Sequence, residues 1–317
     1  MRVLALIPGG MDDQLRFFPA IKQIQHTFEQ AEIAVVVDPR AKDIYRLSKV
    51  VAEVIPYSFQ TSNSPADWAN LLGIMRDREF EVVITLTTSW SMGLLLWLSG
   101  VPTRVGYAST ANNLLLTDTV PLKSEQPATH QYSDLLQSIN VSATVPPLEV
   151  NVPQGDITAV DGLRRTHGLT EGYVLVYPGP TADGEAYEVE SWLTILKDFQ
   201  QRQPDLPVVV AKTDASASAV AALKRQMPSI TVLEPENTGQ MAALIAGANL
   251  LVTVDSYPLY LAAALQVYAV GLFAGRDPEK LLPAAGDESR TVSLKADSGT
   301  LTGLSPDRVL QKIWNEA

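Results

Sequence analysis

The chain has 317 residues, 46% hydrophobic and 19% charged, a normal globular composition on a chain too long for one small core. The net charge is −11 and both halves are acidic: residues 1–150 carry 11 basic against 15 acidic side chains, and residues 151–317 carry 13 against 20. These counts leave no basic footprint for nucleic acid. The absence of cysteine rules out disulfides, thiol catalysis and zinc–thiolate sites, and His26, His130 and His167 lack metal-ligand spacing, so neither metal nor cofactor is expected.

Residues 3–7 form an apolar run shorter than a signal-peptide core, and no small-residue cleavage site follows. The longest apolar stretch elsewhere, residues 92–98, is far below the roughly 20 residues a spanning helix needs. The expectation is a cytoplasmic protein with no spanning segment, at most peripheral to a membrane.

In chain order, residues 3–7 read as a strand buried on both faces, followed by the turn Pro8-Gly9-Gly10-Met11-Asp12-Asp13 and a helix over 14–28. A second buried strand at 33–37 ends at Asp38-Pro39. A strand at 53–56, a helix near 66–78 and a strand at 82–86 continue the alternation, which implies right-handed βαβ crossovers and a parallel sheet. Residues 90–98 run from Trp90 to Trp97 and Leu98. A run of this length reads as a buried core helix, with a membrane-facing or partner-facing patch as the other reading. Around 140–158, Pro146, Pro147, Pro153 and Gly155 break the pattern and mark a boundary, giving domains 1–152 and 153–317.

A second start then appears. Residues 173–177 lead into Pro178-Gly179-Pro180-Thr181, echoing the first strand and its Pro-Gly-Gly turn. Strands follow at 208–211, 231–233, 250–254 and 269–273. A short helix at 258–265 has proline in its first turn, and a last helix over 307–314 starts from Ser305-Pro306. Two halves that open alike point to an α/β chain of two similarly wound domains.

Four segments carry a family resemblance. They are residues 8–15 with Pro19 and the strand at 33–37; Phe80 to Ile84 through Arg104-Val-Gly106-Tyr107, read as a strand and an Arg-x-Gly-Tyr turn; His130 ahead of Leu135-Leu136; and residues 239–273. Together they resemble the ADP-heptose:lipopolysaccharide heptosyltransferases, glycosyltransferase family nine. The resemblance implies two facing Rossmann-like domains with a cleft between them (the GT-B arrangement), an acceptor-side N-terminal domain and a donor-side C-terminal domain. It also implies inverting transfer of a sugar from a nucleotide-sugar donor, ADP-linked in the family, to a glycan or lipid-linked acceptor.

That chemistry needs a base at the acceptor hydroxyl and positive charge or backbone N–H groups at the departing diphosphate. Asp13 matches the family's catalytic aspartate, although Asp12 stands where the family usually has glycine. The other reading of both acids is as caps of the following helix. Gly9 and Gly10, and Gly179 with Thr181, are the candidate substrate-binding turns, though Pro178 and Pro180 deprive the second of two donors. Asp255 and Ser256 match the family's Val-Asp-Thr-Gly-Pro-x-His segment, here Val254-Asp255-Ser256-Tyr257-Pro258-Leu259-Tyr260. Tyr257 replaces its glycine and Tyr260 its histidine, and a helix cap is again the other reading. The family's Lys-x-Trp-Pro-x-Glu, with Glu190 on its last position, places Glu185 where the phosphate-binding lysine belongs. No lysine or arginine lies between Arg165 and Lys197 to replace it.

Two rivals follow. A dinucleotide oxidoreductase is disfavoured because residues 9–13 lack the Gly-x-Gly-x-x-Gly spacing and would set two acids against a pyrophosphate. A catalytically degenerate scaffold, used in protein interaction or assembly with an unknown partner, stands beside the transferase reading.

Overall fold

The computed structural model describes residues 1–59, 64–142, 144–282 and 290–315. Residue 143, within the expected boundary segment, lies outside these. The chain divides into two compact units, Met1–Glu149 and Val150–Ala317.

The first unit holds strands β1 (Arg2–Ile7), β2 (Glu32–Val37), β3 (Val51–Pro56), β4 (Val82–Thr85), β5 (Thr103–Tyr107) and β6 (Asp118–Val120). Its helices are α1 (Met11–Thr27), α2 (Pro65–Asp77), α3 (Trp90–Ser99), α4 (Asn112–Leu115) and α5 (Ala128–Gln137). All paired strands are parallel, in the order β3-β2-β1-β4-β5-β6. The second unit holds β7 (Val174–Tyr177), β8 (Val208–Ala211), β9 (Thr231–Leu233), β10 (Leu250–Val254), β11 (Ala269–Phe273) and β12 (Thr291–Lys295). Its helices are α6 (Gln154–Thr166), α7 (Val189–Arg202), α8 (Ala217–Gln226), α9 (Thr238–Ala246), α10 (Tyr257–Ala264), α11 (Pro278–Leu281) and α12 (Pro306–Trp314). Its sheet, β12-β11-β10-β7-β8-β9, is also parallel. Numbered from its own first strand, it has the same doubly wound order as the first unit. The repeated strand-and-turn opening in the sequence is therefore a repeated topology.

The central strands are buried because they are apolar without alternation, as covering helices on both faces require. Residues 3–7, 33–37 and 174–177 are all buried. In the second unit Trp192 of α7 is fully buried and meets Tyr187 edge-on at 5.2 Å between ring centres.

Four sequence expectations change. α1 begins at Met11 rather than 14, so Asp12 and Asp13 belong to its first turn. A helix already runs from Gln154 inside the expected boundary segment. Arg104, Gly106 and Tyr107 form strand β5 rather than a turn. α3 is a core helix on one side only: Met92, Leu95 and Leu96 pack in the core of the first unit, but Trp90, Trp97 and Leu98 are exposed. Among the described residues, no helix is long and apolar enough to cross a membrane.

Candidate functional site

In a doubly wound sheet, ligands bind beyond the carboxyl ends of the strands, where the winding reverses. That point lies between β1 and β4 in the first unit and between β7 and β10 in the second. Gly9, Gly10 and Asp13 follow β1. Gly179 and Thr181 follow β7, and Asp255 and Ser256 follow β10. Every sequence-derived candidate thus stands at one of these two places.

At the first, Gly10 is the N-cap residue of α1 and its N–H donates to Asp13 Oδ2 at 2.8 Å. The other Asp13 oxygen is paired with Arg16, whose guanidinium also reaches Asp12 Oδ2 at 3.2 Å. Arg16 is only 5% exposed. Both acids therefore share one buried cation one turn along the helix. The i to i+3 and i+4 spacing is legible in the sequence, which makes Arg16 a readable omission. Gly9 has φ +110°, and a Cβ there would collide with the Asp13 carboxylate. Beside this turn lies a cavity of about 220 Å³, lined by Gly9, the rings of Tyr57, Phe59 and Trp68, and the hydroxyl-bearing Thr87 and Ser89.

At the second, the protein's own groups occupy the turn. A Cβ on Gly179 would meet the Tyr177 ring, so the space this glycine leaves is filled from within the chain. Tyr177 donates or accepts a hydrogen bond with Thr213 at 3.1 Å, and Tyr257 packs edge-on against its ring. Burial pushes the Tyr177 phenol upward, partly opposed by the Thr213 contact. Thr181 is engaged inside its loop: its hydroxyl accepts from the Glu185 N–H at 3.0 Å, and its N–H donates to the Glu185 carbonyl at 2.7 Å. The Glu185 carboxylate accepts from the backbone N–H of Leu301.

Asp255 is buried. Tyr260 donates to its Oδ1 at 3.1 Å, and Arg276 stands 3.3 Å from its Oδ2. Its carbonyl accepts from the Ala182 N–H, which ties the turn after β7 to the turn after β10. Ser256 is the N-cap residue of α10, but its hydroxyl donates to the Val254 carbonyl at 3.1 Å and makes no cap bond. The alternative reading of Asp255 or Ser256 as a helix cap therefore finds Ser256 at the N-cap position without a cap bond, and Asp255 as a buried acid with a tyrosine and an arginine. Arg276 carries no local sequence signal, since only the fold brings the end of β11 beside β10. Among the described residues, no group of three or more metal-ligating side chains is present.

The model of glycosyltransferase family 9 (heptosyltransferase) matches residues 68–301. The chain belongs to glycosyltransferase family 9. It is 23% identical over 331 aligned positions to the chloroplastic photosynthetic NDH subunit of subcomplex B 1 of Arabidopsis thaliana, covering 96% of this chain and 71% of that one. It is 20% identical to lipopolysaccharide heptosyltransferase 3 of Escherichia coli, covering 84% and 81%. The solved glycosyl transferase family 9 structure from Veillonella parvula superposes with a TM-score of 0.82 at 16% identity, covering 99% and 96%. The α/β fold of two Rossmann-like domains expected from sequence is thus the fold of this family 9 chain. Within that fold the segments after β7 and β10 carry Glu185, Tyr257 and Tyr260 at the positions set against the family motifs' lysine, glycine and histidine.

Proposed function

We propose that this family 9 chain is a catalytically degenerate heptosyltransferase-like scaffold that acts in protein assembly and does not transfer sugar from a nucleotide donor. The observation that carries this reading is Glu185, which stands at the lysine position with its carboxylate held by the Leu301 amide. A diphosphate leaving group needs positive charge there. A carboxylate about 4 Å from a phosphate, partly screened, opposes it by about 4 kcal/mol instead of stabilising it by as much. Support comes from the Tyr177 ring in the space left by Gly179 and from Tyr257 beside it. A relative that aligns with 96% of this chain and 71% of its own length is named as a subunit of a subcomplex, in keeping with an assembly role. The cytoplasmic location expected from sequence is kept in this proposal.

The transferase remains as a second reading because Arg276, at the turn after β11, supplies a guanidinium beside Asp255. In that reading Asp13 is the base, residues 1–152 hold the glycan acceptor, and residues 153–317 hold the nucleotide-sugar donor. Gly9 and Gly10, then Gly179, Thr181, Asp255 and Ser256, would contact the two substrates. Thermal unfolding against a panel of nucleotide-sugars separates the two. A ligand at 100 times its dissociation constant adds about 2.7 kcal/mol, an easily seen rise in Tm. The scaffold reading expects no shift with any member, and a saturable shift with one of them overturns it.

A further inference from the structure

The exposed side of α3 is unlike the rest of this acidic chain. Trp90, Leu94, Trp97 and Leu98 follow one another at helical spacing on the side opposite the buried Met92, Leu95 and Leu96. Trp90 is 65% exposed and Trp97 53%. α4 packs against α3 at Gly93, where Asn112 and Leu115 come close, and carries Leu114 at 82% exposure. Residues 82–117 contain a single charged side chain, Arg104. That guanidinium is turned into the fold, donating to the carbonyls of Leu115 at 3.1 Å and Val101 at 2.6 Å.

We infer that this α3–α4 surface is a docking face for a second copy of the chain, paired about a two-fold axis. This goes beyond the scaffold reading and stands whether or not that reading holds. Two copies each carrying −11 repel one another over most of their surfaces. The α3–α4 face carries no acidic side chain of its own, and the cation at its edge, Arg76 of α2, is engaged with the Leu98 carbonyl at 2.7 Å. Repulsion between acidic copies is therefore weakest here, and an apolar face is complementary to itself, as an isologous contact requires. Its composition, tryptophan and leucine with charge excluded, is that of an interface core. On side chains of roughly 200 Å², the four most exposed residues present about 500 Å², against the about 800 Å² per partner of a stable interface. At about 1,000 Å² over two copies, this is the area of a weak, concentration-dependent dimer. A lipid surface is the poorer occupant, since interfacial helices carry several lysines and arginines on their polar face, whereas residues 82–117 supply only the inward-turned Arg104 and α2 adds Arg76 at the end of α3.

The test is sedimentation equilibrium of the full chain from low to high micromolar concentration. The expected species is a dimer of twice 34.4 kDa. Trp97→Asp, and separately the milder Trp97→Ser, should each leave the melt of the dilute, monomeric protein unchanged, while the concentration-dependent rise in Tm that dimerisation gives the parent should shrink. Trp97→Asp should raise the dissociation constant by about 30-fold or more, as loss of a hot-spot tryptophan does. Added salt should tighten the dimer, because it screens the repulsion between acidic copies without weakening apolar burial. A monomer at every concentration overturns the inference. So does a dimer indifferent to both substitutions, or one that dissociates in salt. Monomers that co-sediment with phosphatidylcholine vesicles in a Trp97-dependent way overturn it in favour of a membrane.

Discussion

The carboxylate of Glu185 accepts a hydrogen bond from the backbone N–H of Leu301, 116 residues further along the chain. Leu301 opens a short 3-10 helix, Leu301–Gly303, whose first N–H groups have no partner within the turn. An acid at that spot satisfies one of them, whereas a lysine would not. The same residue that removes positive charge from the expected diphosphate position therefore stabilises the fold. Glu185→Ala should lower stability by about 1–2 kcal/mol, with Glu185→Gln closer to the parent because it keeps an acceptor. Urea unfolding of the three proteins checks this, and equal midpoints would show that the contact contributes nothing.

Asp13 holds the first turn of α1 with one oxygen and Arg16 with the other. Asp13→Ala removes a cap bond and half of a buried ion pair, so a loss of about 1–3 kcal/mol is expected. Gly9→Ala should cost at least as much. It combines an unfavourable backbone conformation at φ +110° with a collision against the same carboxylate. Thermal melts of both variants test the point. A melt for Asp13→Ala like that of the parent would free Asp13 from a structural role and strengthen its reading as a base.

The topology was legible because unbroken apolar strands and their Pro-Gly turns recur at the start of both halves. Helix starts with a local signature were legible too: the Ser305 side chain caps α12, and Pro306 opens it. Contacts made through the fold left no such trace. Glu185 reads in sequence as a repelling charge and in space as a ligand of a distant amide. Gly179 reads as a turn open to phosphate, but its open side is filled by a ring two residues away. The outer face of α3 misled for a different reason: apolar residues on every side of a short helix signal burial, and nothing local tells a covered face from an uncovered one.

Tyr260 stands at the family's histidine position and donates to Oδ1 of the buried Asp255. Removing a donor from a buried carboxylate is more costly than removing a neutral pair. Tyr260→Phe keeps the ring and its packing and deletes only the hydroxyl, so it should lower stability by about 1–3 kcal/mol. Chemical denaturation measures it. An unchanged midpoint would mean that Asp255 is held without Tyr260.

Alkaline pH should expose the buried tyrosines. Tyr187 donates to the Leu304 carbonyl at 2.8 Å, and burial pushes its phenol from 10.0 up to about 12, slightly opposed by Ser191. Tyr45, which donates to Gln14 at 2.8 Å, is also raised by burial. A raised folded value means that the native state holds the neutral phenol more tightly than the unfolded chain does. The associated stability is therefore complete below about pH 10 and declines as pH rises through about 12. Tyr187→Phe loses the hydrogen bond but cannot ionise, so its melting temperature should fall less steeply than the parent's between those limits. Parallel slopes for the two proteins would remove Tyr187 from the account of alkaline unfolding.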